Sequence, residues 1–113
     1  MILTVLLANE PLAYRDAITV AFRILRPEIT VIAVEPAKLD VNILEHDPQV
    51  VICSAFTIIL KREVPIWIVL YPDGSPGATL QILGKRSTVS HIDLDGIVHL
   101  IDQTNQFVHD QRN

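Results

Sequence analysis

Apolar residues along this chain fall in short, continuous runs rich in β-branched side chains, separated by proline and polar punctuation. The first run is Ile2-Leu3-Thr4-Val5-Leu6-Leu7-Ala8, ended by Asn9-Glu10-Pro11. Ile29-Thr30-Val31-Ile32-Ala33-Val34, Val50-Val51-Ile52-Cys53 and Ile66-Trp67-Ile68-Val69-Leu70-Tyr71 follow the same pattern. Runs of this length without polar alternation mark strands buried on both faces, as in a parallel sheet covered by helices.

Between these runs the spacing becomes helical. Pro11 suits a first helical turn, where its missing N–H costs nothing. Tyr14, Ala17, Ile18, Ala21, Phe22 and Leu25 then recur on one face. They predict a helix over 11–25 with Ala17, Ile18, Ala21 and Phe22 inward, and Arg15, Asp16, Thr19 and Arg23 opposite. Arg26-Pro27 ends it, because a residue before proline is pushed out of the helical region. Ala37, Val41 and Leu44 predict a weaker second helix, closing near His46-Asp47-Pro48. Segment 55–63 predicts a short one. The order βαβαβ(α)β implies a parallel sheet with right-handed crossovers.

Past Tyr71 that order breaks. Pro72-Asp73-Gly74-Ser75-Pro76-Gly77 is a turn cluster too short to hold a crossover helix. Thr79–Leu83 and Arg86–Val89 flank Gly84-Lys85 and predict an antiparallel hairpin, with Gly84 supplying positive φ at the first central position. A final helix is expected to start near Asp93 or Asp95, both good N-caps. Ile97, Leu100, Ile101, Thr104 and Val108 form its apolar stripe.

Composition narrows the class. The 113 residues suit one domain spanning 1–113, with no repeat or linker. A chain that is 50% hydrophobic and 19% charged is neither disordered nor a charged tail. The net charge is −4, and only Lys61-Arg62 and Lys85-Arg86 are adjacent basic pairs, so an electrostatic nucleic-acid footprint is excluded. The lone Cys53 allows no internal disulfide and no zinc site, which fits a cytoplasmic location. The apolar start is too short for a leader or a membrane span and is expected to be a strand, so no membrane partner is expected.

Several residues invite sharper chemistry. Ser54 beside Cys53 could be a nucleophile, yet Ile52-Cys53-Ser54-Ala55-Phe56 lacks both glycines of a hydrolase elbow. It reads as a strand-end serine beside a small packed thiol. His91, His99 and His109 with Asp93, Asp95 and Asp102 could hold a metal, but Asp93 and Asp95 are explained as caps. Residues 73–77 resemble a phosphate loop only in glycine content, since no Gly-Lys-Ser/Thr end follows. No metal and no cofactor is expected, and no base–nucleophile–orienter set argues for an enzyme. Tyr71, ending its strand, is the better surface candidate; Trp67 is expected in the core.

Two segments resemble the response-regulator receiver family. Val5-Leu6-Leu7-Ala8-Asn9-Glu10-Pro11-Leu12 is similar to that family's first strand and acidic corner, where two aspartates precede Glu-Pro-Leu. Pro48-Gln49-Val50-Val51-Ile52-Cys53-Ser54 is similar to its third strand, which ends on the phospho-accepting aspartate. The resemblance covers roughly residues 1–71 and implies a flavodoxin-like three-layer α/β sandwich. Its mostly parallel sheet would have the order 2-1-3-4-5, with an antiparallel hairpin replacing the fourth helix region.

The functional positions depart from that family. Ala8 and Asn9 stand where its metal-binding acids would lie, and Ser54 where the phosphorylated aspartate would lie. Tyr71 or Leu70 replaces its threonine, and Lys85 falls one residue late for its lysine. Asn9, Glu10 and Ser54 offer one formal negative charge, too little for Mg²⁺.

The resemblance therefore implies a non-phosphorylatable signalling module acting through an unknown protein partner. The alternatives are a small-ligand sensor using the crevice at the strand C-termini, and a small enzyme. A symmetric homodimer is expected through an apolar face that the missing helix leaves open, with Leu80, Ile82 and Val89 at its interface.

Incubation with acetyl phosphate should leave the intact mass unchanged, and millimolar Mg²⁺ should leave the amide spectrum unmoved. An acid-resistant, alkali-labile adduct on an aspartate of the pocket contradicts this.

Overall fold

The computed structural model describes residues 3–112, excluding the side chains of Asp73 and of residues 107–112. The expected stripe residue Val108 and the histidine His109 therefore lie outside the described side chains, as Ile2 of the first run lies outside the described residues. Strand β1 spans Thr4–Ala8, helix α1 Leu12–Leu25, β2 Thr30–Ala33 and α2 Leu39–His46. They are followed by β3 Val50–Cys53, α3 Ile58–Glu63 and β4 Ile66–Leu70. A 3₁₀ turn at Pro72–Gly74 leads to β5 Ala78–Ile82, β6 Lys85–Val89 and α4 Leu94–Arg112.

The strands form one six-stranded sheet of order β2-β1-β3-β4-β5-β6. Strands β1 to β4 pair in parallel, whereas β5 runs antiparallel to β4 and β6 antiparallel to β5. The antiparallel hairpin β5–β6 is as expected, but the flavodoxin-like order 2-1-3-4-5 is corrected: the sheet has a sixth strand, and β5 is antiparallel to β4 as well. The cause is local. Tyr71 takes a left-handed φ of 53° and the turn after it has no room for a crossover, so the chain can only double back.

Helices cover both faces. On one, α1 and α4 place Ile18, Phe22, Ile97 and Ile101 over Val5, Leu7, Val50, Ile52, Ile68 and Leu80. On the other, α2 and α3 place Leu39, Ile43 and Leu60 over Leu6, Ala8, Val51, Cys53, Trp67 and Val69. Trp67 is fully buried, as expected, with Phe56 packed edge-on at 4.8 Å and the Arg86 guanidinium 5.3 Å above its ring.

The helix phases differ from the expected ones. In α1 the buried positions are Arg15, Ile18, Thr19 and Phe22, while Ala17, Tyr14 and Leu25 face outward. Arg15 can sit inward because its guanidinium donates to the Asn9 carbonyl at 3.4 Å. Thr19 donates its hydroxyl to the Arg15 carbonyl at 2.8 Å, so it too is satisfied inside. In α2, Leu39 and Ile43 are buried, and the expected Val41 and Leu44 are exposed.

The hairpin turn is one residue earlier than expected. Leu83 and Gly84 are its central pair, both with positive φ, and Ile82 faces Lys85. The expected open face is also closed. Leu80 is buried, and Ile82 and Val89 are half-buried against the same cluster, because α4 lies over them. Lys85 and Arg86 sit exposed on the outer strand β6, where charge discourages edge pairing.

Arg26 closes α1 against α4 with a forked pair to Asp102, both contacts at 2.6 Å. The donated hydrogen bonds from Arg26 hold the Asp102 carboxyl below the usual carboxylate range. The stabilisation is therefore present above the unfolded carboxylate value and is lost as pH falls through the folded one. About a third of each side chain is exposed, so solvent screens the pair and its contribution to stability is small.

Phe22→Ala should cost about 3–5 kcal/mol in chemical denaturation, since its ring is wholly buried between α1 and the sheet. An unmoved midpoint contradicts the α1 packing.

Candidate functional site

Strand order sets where chemistry can gather. From β1 the chain crosses by α1 on one face to β2; from β3 it crosses by α3 on the other face to β4. The connections thus part between β1 and β3, and the helices leave a gap above the carboxyl ends of those strands. A crevice of about 1050 Å³ lies at that end, lined by Glu10, Ser54 and Tyr71 among others. Across the gap the Glu10 N–H donates to Ser54 Oγ at 2.8 Å, which ties the end of β1 to the end of β3.

The far wall comes from the return of the chain. The Tyr71 N–H donates to the Gly77 carbonyl at 2.8 Å, and the Ile92 N–H to the Pro76 carbonyl at 3.0 Å. Gly77 has to be glycine, because a Cβ there would overlap the Val89 carbonyl oxygen. This close approach brings residues 90–93 back beneath Tyr71, whose hydroxyl donates to the Ile92 carbonyl at 2.7 Å. Asp93 then caps α4, accepting from the Gly96 N–H at 2.8 Å. Tyr14, from the first turn of α1, meets Tyr71 edge to face at 5.7 Å. A smaller apolar cleft continues below these rings between α1 and α4, reaching Ala17, Leu94 and Ile97.

Of the residues expected from the sequence, Glu10, Ser54 and Tyr71 meet at the crevice. Ala8 does not: its side chain packs under α2 and α3 on the other face. Asn9 is buried with its amide oxygen unpartnered and does not line the crevice. Lys85 faces Ile82, which faces Ile66 at the start of β4, so it lies at the opposite end of the sheet. Sequence alone missed Tyr14, which helical spacing had placed inward. It also missed the wall role of His91 and His99, which depends on how α4 returns.

The electrostatics are simple. Among the described residues Glu10 and Asp93 are the carboxylates of the lining and His91 and His99 its imidazoles, with neither lysine nor arginine. Burial raises the Tyr71 phenol above its ordinary value, helped by Tyr14 and the negative Asp93. It therefore stays a proton donor. Cys53 faces away from the crevice; burial pushes its thiol up to about 12, and it donates to the Ala55 carbonyl at 3.3 Å. A thiol held neutral this way is a poor nucleophile. Among the described residues no group of three or more His, Cys, Asp or Glu side chains could hold a metal ion. No helix among them is long and apolar enough to cross a membrane.

The chain matches no protein-family model, no curated protein and no solved structure.

Tyr71→Phe should lower stability by about 1 kcal/mol through the lost bond to Ile92. In a Tyr14→Phe background, Tyr71 should ionise above the ordinary tyrosine value of about 10. Its contribution is then whole below that value and lost as pH rises through the folded one. Ionisation at or below the ordinary value contradicts the buried donor.

Proposed function

We propose that this chain is a non-catalytic sensory domain that holds a small ligand in the crevice at its strand C-termini. Its first four strands are read as flavodoxin-like, and its likeness to receivers as that of a module without phosphorylation chemistry. One observation carries the reading: the β1–β3 gap opens into a built crevice, framed by the strand ends Glu10, Ser54 and Tyr71. Ligands of open α/β sheets bind in that place.

The lining also sets the ligand's chemistry. With two carboxylates and no lysine or arginine among its described residues, the crevice disfavours phosphate and favours a neutral or cationic group. The Tyr14 and Tyr71 rings and the apolar cleft beneath them suit an aromatic or aliphatic body. Among the described hydrogen bonds Ser54 accepts from the Glu10 N–H and is joined to no histidine or carboxylate, so the site is read as binding rather than reacting. A cytoplasmic setting suits a chain whose single thiol is buried and unpaired.

A second reading, from the receiver resemblance, is a module that signals through protein contacts. It is favoured by exposed apolar side chains such as Val20 and Ile24 on α1 and Val41 and Leu44 on α2.

Titration of the amide spectrum with tyramine and, separately, with adenosine diphosphate separates ligand classes. Saturable shifts confined to Glu10, Ser54, Gly74 and Gly96 are expected with tyramine and should weaken in Tyr14→Ala. Equal or stronger shifts with the nucleotide, or none with tyramine, contradict the proposal.

A further inference from the structure

Helix α1 carries apolar side chains on its outward side as well as on its core side, with Asp16 and Arg23 confined to one flank. Arg15, Ile18, Thr19 and Phe22 make its buried side. Ala13, Ala17, Val20 and Ile24 lie opposite, spaced four, three and four residues apart, so they form one straight stripe. Val20 is 53% exposed and Ile24 is 72% exposed. No charge interrupts this stripe. Asp16 and Arg23 lie along one of its flanks, two turns apart, and neither forms an ion pair among the described residues.

We infer that the outward stripe of α1 is a self-association surface on which a second copy of this chain packs its own α1 antiparallel. The pattern of the helix complements itself. Its first half offers the small Ala13 and Ala17, and its second half the larger Val20 and Ile24. Reversed against itself, each half sets small residues against large ones. The same two-fold operation keeps the charged flanks together and brings Asp16 of each copy beside Arg23 of the other, twice over. A parallel pairing instead sets both charges against the uncharged flank carrying Tyr14 and Ala21, so the antiparallel form is selected.

The 14-residue helix is only about 21 Å long, which puts this interface at the small end of specific contacts. The dimer should accordingly form in the micromolar range. The surface differs from the closed face around Leu80, and it meets the proposed ligand site at Ala17, which also lines the cleft below Tyr14 and Tyr71.

Sedimentation equilibrium from low to high micromolar concentration tests the inference. The 12.6 kDa chain is expected to give way to a species of twice that mass. Ile24→Glu should abolish the dimer, while Val41→Glu on α2 should leave it intact. Asp16→Arg and Arg23→Asp should each weaken association about tenfold, and the double swap should restore it to within about threefold. All these side chains are exposed, so the monomer fold is retained, and the swap reports on the pairing itself. A monomer throughout overturns the inference. So does a dimer that survives Ile24→Glu, or a double swap no better than either single change.

Discussion

Strands β1, β3 and β4 are buried on both faces, and that constraint governs the rest of the molecule. Val5, Leu7, Val50, Ile52, Ile66 and Ile68 point to one helical layer, and Leu6, Ala8, Val51, Cys53, Trp67 and Val69 to the other. None of these side chains is more than 2% exposed. A strand with no polar face needs cover on two sides, and the alternation with α1, α2 and α3 supplies it. The same burial leaves no place for chemistry along the strands. Polar and titratable groups collect beyond their ends, where the backbone leaves the sheet.

The change of direction at Tyr71 completes that arrangement. A left-handed residue and a three-residue turn send the chain back along β4, so cover for the last strands has to come from α4. Gly77 then lets residues 89–90 approach closely, and the hydroxyl of Tyr71 holds residue 92. The crevice is thus bounded on one side by strand ends and on the other by a return loop. Its wall is tied to the sheet by hydrogen bonds from one tyrosine, which uses both its backbone and its side chain.

The strands were legible in the sequence because continuous apolar runs bounded by Asn9-Glu10, Pro48 and Pro65 admit few other readings. The hairpin was legible in kind but not in register. Gly84 was recognised as a turn residue, yet Leu83 shares the positive φ beside it, and a side chain that disfavours that conformation gives no sign of adopting it. Helix phase was hardest. In α1 the apolar residues point in every direction, so periodicity could not tell the core stripe from the outward one, and Arg15 and Thr19 occupy inward places that polarity argues against. Glu10, Ser54 and Tyr71 were legible as site residues because each follows or ends a strand run. Tyr14, His91 and His99 were not, since their meeting depends on the tertiary path of α1 and α4. Lys85 was misplaced because an alignment to a parallel fifth strand puts it at the wrong end of an antiparallel one.

Native-state hydrogen exchange tests the central claim that two-sided burial of the middle strands organises this fold. Amides of β1, β3 and β4 should be the slowest, opening only with global unfolding, and those of the outer strand β6 should exchange much earlier. Protection in β6 equal to that in β3, or early exchange of β1, would contradict the account.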